Sequence, residues 1–200
     1  NIYYLSLLFF LKKIQLKKKY NHFFLMAYAR DTENIIDNYS NIISIPEKDK
    51  QLAQSILLQN GIDIKKKIVC IHVRDNKYLS IKIPNQDFSY QDRRNADINT
   101  YVKTINYLLS KDYIVFRMGK YVDKKLNIQN KNFIDFPFFH SRSDLLDIYL
   151  GSICYFSIST GSGWDQVPFC FRRPVLYTNV ANISRLQLSS KKFISIFKLT

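Results

Sequence analysis

The feature that most narrows the fold is the run Lys67-Ile68-Val69-Cys70-Ile71-His72-Val73, which after Lys67 is apolar and largely β-branched with only His72 interrupting it. A strand open to water on one face alternates apolar with polar side chains. This one does not, so it is read as a strand buried on both faces, the pattern of a parallel sheet covered by helices on each side.

The neighbouring sequence supplies such layers. Pro46 opens a predicted helix over Glu47 to Gln59 that Gly61 closes. From Asp97 onward, Ile98, Tyr101, Val102, Ile105, Leu108 and Leu109 are spaced for one helical face. Short strands are expected at Tyr113–Phe116, Asn132–Phe136, Cys154–Ser159 and Pro174–Tyr177, with a helix at Ser143 to Leu150 and a last strand-like stretch from Lys191 to Thr200. Strands alternating with helices imply βαβ units and an α/β, doubly wound, Rossmann-like parallel sheet. The domain is expected over 46–200. Residues 1–45 read as the remnant of a preceding domain or a linker, and the end at Thr200, inside a strand-like stretch, reads as a truncation.

The chain has 200 residues, 46% of them hydrophobic and only five Gly and five Pro, which excludes disordered and collagen-like classes. Cys70, Cys154 and Cys170 lie in apolar runs without C-x-x-C spacing and read as reduced thiols of a cytoplasmic protein. The formal charge is +14, but Lys outnumbers Arg by 21 to 9 in a chain rich in Ile and Asn, as an AT-rich coding bias produces whatever the function. With no RNP-like strand, zinc-finger spacing or helix-turn-helix pattern, nucleic acid is not the expected partner. The apolar stretch Ile2 to Leu11 is too short to span a membrane, which takes about 20 residues. It reads either as a buried element or as an interfacial segment whose lysines, Lys12 to Lys19, meet anionic lipid on the inner membrane face.

Ligands of an open doubly wound sheet bind outside the carboxyl ends of the strands. Those ends carry His72-Val73-Arg74-Asp75, Arg117-Met118-Gly119 and Ser159-Thr160-Gly161-Ser162-Gly163. A glycine-hydroxyl loop between strand and helix brings backbone N–H groups close to an anion, so a phosphate or diphosphate is the natural guest, a plain tight turn being the bland alternative. Arg74 offers a guanidinium fork for phosphate oxygens. His72 points either into the crevice or into the core.

The 22 residues from Asp75 to Ala96 show no periodicity, far beyond the usual connection of about two to six residues, and include Tyr78, Arg93, Arg94 and Asn95 as candidate substrate contacts. Ser141 or Ser143 caps the following helix and leaves Arg142 for the crevice or solvent. No metal-ligand spacing is present, and Gln166 stands where a dinucleotide fingerprint needs its third glycine, which argues against a nicotinamide cofactor.

Taken in order, H-V-R-D (His72 to Asp75), R-R-N-A-D-I-N-T-Y (Arg93 to Tyr101), F-R-M-G (Phe116 to Gly119), S-D-L-L-D-I-Y-L (Ser143 to Leu150) and S-T-G-S-G (Ser159 to Gly163) resemble a family of bacterial glycosyltransferases encoded among surface-polysaccharide genes. The resemblance spans Lys65 to Asn179. More distantly, the stretch is similar to the C-terminal domain of GT-B glycosyltransferases and of UDP-N-acetylglucosamine 2-epimerase. It implies a metal-independent, cofactor-free transferase that takes a nucleotide-diphosphate sugar and a glycan or lipid-linked acceptor.

On that resemblance, Ser159, Thr160, Gly161, Ser162 and Gly163 hold the diphosphate, and Arg74 and Arg117 neutralise it. His72 and Asp75 are the local candidates for the acceptor base. Ribose or substrate contacts fall to Asp165 or Gln166, with Arg94, Asn95 and Arg142, because Val167 and Pro168 occupy places where those relatives carry acids. An epimerase or hydrolase of nucleotide sugars on the same architecture, and a non-catalytic basic α/β interaction module, are the competing readings.

Overall fold

The structure, a computed structural model, describes residues 31, 35–39, 41, 43–181, 186–187 and 189–198. The apolar run Ile2 to Leu11 and the lysines Lys12 to Lys19 lie outside the described residues. The elements in order are α1 (Ile35–Asn38), α2 (Glu47–Gln59), β1 (Ile68–His72), α3 (Lys77–Lys82), α4 (Val102–Ser110), β2 (Ile114–Arg117), β3 (Phe133–Asp135), α5 (Asp144–Ile153), β4 (Phe156–Ser159), α6 (Gln166–Cys170), β5 (Val175–Val180) and β6 (Phe193–Phe197).

All six strands pair in parallel in the order β3-β2-β1-β4-β5-β6. This is the doubly wound arrangement, in which the chain works outward from β1 in one direction and then returns to build the other half from β4. Side-chain alternation sends successive residues of β1 to opposite faces. Ile68 and Cys70 pack with Leu57 of α2 and with Leu146 and Leu150 of α5. Val69 and Ile71 pack on the other face with Ile105, Leu108 and Leu109 of α4. The absence of alternation in the sequence is thus explained, since β1 is covered on both sides.

Gly61, at φ 72, takes the left-handed conformation after α2, where its N–H bonds the Leu58 carbonyl. Asp97 accepts from the Asn99 N–H at the head of a 3-10 turn leading into α4, and Ser143 accepts from the Leu146 N–H at the head of α5. Pro168 sits inside α6, which holds only five residues. Two adjustments to the sequence reading follow. The stretch after β1 is not wholly aperiodic, because it forms α3 and a 3-10 turn over Ser89–Arg94. β5 runs on to Val180, with its pairing to β6 shifting register between Tyr177 and Val180. Asp37, before the expected domain boundary, binds the Ser190 hydroxyl and the Lys191 N–H beside β6.

The three cysteines are free, Cys70 and Cys154 being buried and Cys170 half-buried. Among the described residues no helix is long and apolar enough to cross a membrane. β6 lies at one margin of the sheet with Ile194, Ile196 and Phe197 exposed.

α5 and α6 touch where Gly151 leaves no room for a side chain, since a Cβ there meets Val167 Cγ1 at 2.7 Å and Val167 Cβ at 3.0 Å. Gly151→Ala is expected to cost about 1–3 kcal/mol in urea unfolding. Val167→Ala in the same chain should recover most of that loss.

Candidate functional site

Strand order reverses between β1 and β4, where His72 lies beside Ser159. A cleft of about 480 Å³ opens there, walled by the segments that follow β1, β2 and β4. A smaller cavity of about 130 Å³ lies over the ends of β4 and β5. Arg94 and Ser162 line both, so the 160–163 loop and the Arg94 side chain form the partition.

His72 is inside the large cleft. Its Nδ1 is 3.0 Å from the Ser162 hydroxyl, and its ring stacks on Trp164 with centroids 6.0 Å apart and planes 11° from parallel. Burial, reinforced by the positive charges of Arg117 and Arg74, pulls its pKa down to about 4. The imidazole is therefore neutral at pH 7.

The sequence-predicted cations divide into two groups. Arg74, Arg94 and Arg142 line the large cleft. Arg74 is 9% exposed, and its guanidinium donates to the Asn95 side-chain carbonyl and, at 3.4 Å, to Gln91. Arg94 donates to the Gln91 side chain at 2.7 Å and to the Gly161 carbonyl at 2.8 Å. Arg142 donates to the Gly119 carbonyl at 3.3 Å and pairs with Asp147.

Arg117 departs from expectation. It is fully buried, shares the sheet face of Ile71, and donates to Asp135 at 2.9 Å and to the Lys124 carbonyl at 2.8 Å. It holds the 118–126 connection against β3 and does not line the cleft. Only its charge reaches the site, through His72.

The loop also departs from a simple phosphate cradle. The Thr160 N–H donates to the His72 carbonyl, that of Gly161 to the Ser159 hydroxyl, that of Ser162 to Asp165, and that of Trp164 to the Ser162 hydroxyl. These donors are spent within the loop and on β1, and α6 is too short to add a strong terminal dipole. Ser159 and Thr160 are buried framework, their hydroxyls binding Asp165 and the Arg74 N–H respectively. Gly161, at φ 81, makes the left-handed turn that folds the loop back, and Gly163 lines the large cleft.

Asp165, an expected ribose contact, borders the smaller cavity and not the large cleft. It is 1% exposed, and one oxygen accepts from both the Ser159 hydroxyl and the Ser162 N–H at 2.9 Å. Burial raises its pKa against those bonds. Gln166 is exposed and borders the smaller cavity. Asp75 lines the cleft, but its carboxylate accepts the Lys77 and Asp123 N–H groups and so braces two loops. Asn95 accepts from Arg74 and donates to Asp92, which places it behind the arginines.

Of the aromatic and amide residues that shape the site, Tyr78 is among the sequence-predicted contacts, whereas Tyr121, Trp164 and Asn179 are not. Trp164 carries the His72 stack, Tyr78 and Tyr121 face each other with centroids 6.0 Å apart at the cleft margin, and Asn179, at φ 58, donates to the Arg94 and Asn95 carbonyls. Tyr78 stood in the flagged 75–96 stretch; the others gave no local signal. Asp147, beside Arg142, has its pKa pushed up to about 6 by burial. Among the described residues no group of three or more His, Cys, Asp or Glu stands together as a metal-binding cluster.

Fold and cleft define a Rossmann-like α/β domain with a cleft at its topological switch point. The structure of an E. coli ADP-heptose LPS heptosyltransferase II has the same fold, with a TM-score of 0.53 at 14% sequence identity. The match takes in 79% of this chain and 45% of that one, so the chain spans less than half the length of that enzyme. No protein-family model and no curated protein matches the sequence. The likeness to that enzyme is one of fold.

Asp165→Ala should cost about 2–4 kcal/mol, because it strands a buried hydroxyl and a buried N–H, whereas Asp165→Asn keeps an acceptor for them and should cost under about 1 kcal/mol. Denaturation curves of the two variants test this. For His72, the unfolded chain takes up a proton near pH 6.5 and the folded chain only near 4. Stability is therefore lost as pH falls across that window, by roughly 3 kcal/mol relative to the pH dependence of His72→Gln, measured by urea unfolding from pH 7 to 4.

Proposed function

We propose that this chain forms the donor-binding domain of a cytoplasmic glycosyltransferase that acts in surface glycan assembly on a nucleotide-diphosphate sugar, without a metal ion. The observation that carries the reading is a large cleft at the switch point of a doubly wound sheet, lined by Arg74, Arg94 and Arg142 around a neutral histidine. The fold shared with a heptosyltransferase supports it.

Glycosyl transfer separates charge between an oxocarbenium-like sugar and a departing diphosphate, so cations fixed beside the diphosphate favour the transition state over the ground state. The three guanidiniums answer that need, being oriented in advance by Gln91, Asn95, Gly119 and Gly161. Placement of cations near Gly161 and Gly163 also lets the loop fix the diphosphate by shape. The acceptor hydroxyl of a glycan or lipid-linked glycan gives its proton to His72. With a pKa near 4, set first by burial and then by the charges of Arg117 and Arg74, the free imidazole is a weak base, and the negative charge of a bound diphosphate shifts it upward, the direction in which it becomes a better general base.

Thermal-shift and calorimetric titrations with ADP, UDP, GDP, CDP and dTDP, with and without EDTA, test the assignment. One nucleoside diphosphate should bind regardless of EDTA, adding about 2.7 kcal/mol of stability at 100 times its dissociation constant. Arg94→Ala and Arg142→Gln should each weaken it at least tenfold, and the His72 pKa, followed by NMR, should rise on binding. A folded chain that binds none of the five sinks the reading in favour of an interaction module. Turnover without an acceptor would point to an epimerase or hydrolase instead.

A further inference from the structure

An all-parallel sheet brings every segment that leads into a strand to one edge, opposite the cleft. In this chain four of the six segments carry lysines, which outnumber the acids Asp63 and Asp112 beside them. Lys65, Lys66 and Lys67 lead into β1, Lys111 precedes β2, Lys131 precedes β3, and Lys191 and Lys192 precede β6. All but the partly covered Lys66, which pairs with Asp112, are exposed.

Tyrosines stand among these lysines. Tyr155, leading into β4, is half exposed, Tyr113 packs beside it at 6.1 Å, and Tyr107 is mostly exposed. The Lys67 ammonium lies 4.4 Å from the Tyr155 ring centroid, and that of Lys111 lies 5.6 Å from the Tyr107 centroid. Strands about 4.8 Å apart spread this edge over roughly 25 Å.

We propose that this basal edge is a docking surface for an anionic lipid bilayer. Lysines pay little to hold their ammonium groups in a headgroup layer while their stems and the tyrosine rings cover apolar surface, and each adds attraction to anionic lipid. Nucleic acid is the poorer fit. Single-strand binders need open aromatic faces on which bases stack, and the Tyr155 ring is already taken up by Lys67 and Tyr113. Charge on the opposite edge is mixed, since Asp75, Asp92, Asp97, Asp123, Asp144 and Asp147 gather among its cations. Docking through the basal edge turns the cleft away from the bilayer. This inference does not depend on the transferase reading.

The test is co-sedimentation of the full chain with vesicles of phosphatidylcholine alone or with about 30% phosphatidylglycerol. The chain should bind only the anionic vesicles, and 0.5 M NaCl should release it. Lys65→Glu/Lys67→Glu/Lys111→Glu should weaken binding at least tenfold, with the matching glutamine variant intermediate and both folded by circular dichroism. Lys77→Glu/Lys82→Glu/Lys125→Glu, an equal charge change on the cleft side, should leave binding within about threefold. The proposal is overturned if the chain ignores anionic vesicles, if the two charge-reversed variants behave alike, if neutralising Lys12 to Lys19 alone abolishes binding, or if the basal lysines are needed for RNA and not for vesicles.

Discussion

The site depends on β1 being the strand from which the sheet is built in both directions. Its pairing with β2 through Ile68 to Ile71, and with β4 through Val69 to His72, brings three strand ends to one place and leaves a cleft between the segments that diverge from them. Nothing polar in β1 before His72 competes with burial, so the register is locked by apolar side chains on both faces. His72 and Arg74 are consequently delivered to the edge by the core itself, and the chemistry of the cleft is anchored in a strand whose first four residues are all buried.

Around that anchor the polar groups are arranged in advance. Asp165 fixes the loop from beneath, Gln91 and Asn95 hold Arg74 and Arg94, and Asn179 ties the backbone of the 94–95 segment to the end of β5. Such a network spends hydrogen-bond donors internally, so selectivity in the cleft falls to the arginines, the aromatic walls and the shape of the loop. A preorganised cluster of cations is costly to assemble in a folded chain, and the buried Arg117–Asp135 pair shows how the structure contains a charge that it does not present to a ligand.

What the sequence disclosed follows from which interactions are local. The unbroken run at 67–73 and the 3.6-residue spacing of Ile98 to Leu109 carry their burial in the pattern itself, and the strands and helices fall close to where those patterns place them. Strand ends and the glycine-hydroxyl loop located the cleft by topology alone. The roles of single residues were not local. Arg117 reads like Arg74 in sequence, each following a buried strand, and only the neighbouring strand, which sets Asp135 beside Arg117, separates a structural ion pair from a cleft cation. Trp164 and Asn179 act through partners about 90 residues away, which no short-range pattern encodes.

The β6 margin has a consequence of a different kind. No described strand pairs with its outer side, and the exposed Ile194, Ile196 and Phe197 make it an apolar template for adding a foreign strand. Lys191, Lys192 and Lys198 bracket that segment and act as gatekeepers, since two copies brought edge to edge set like charges against each other. Screening these lysines with salt, or neutralising them, therefore favours edge-to-edge association of two copies.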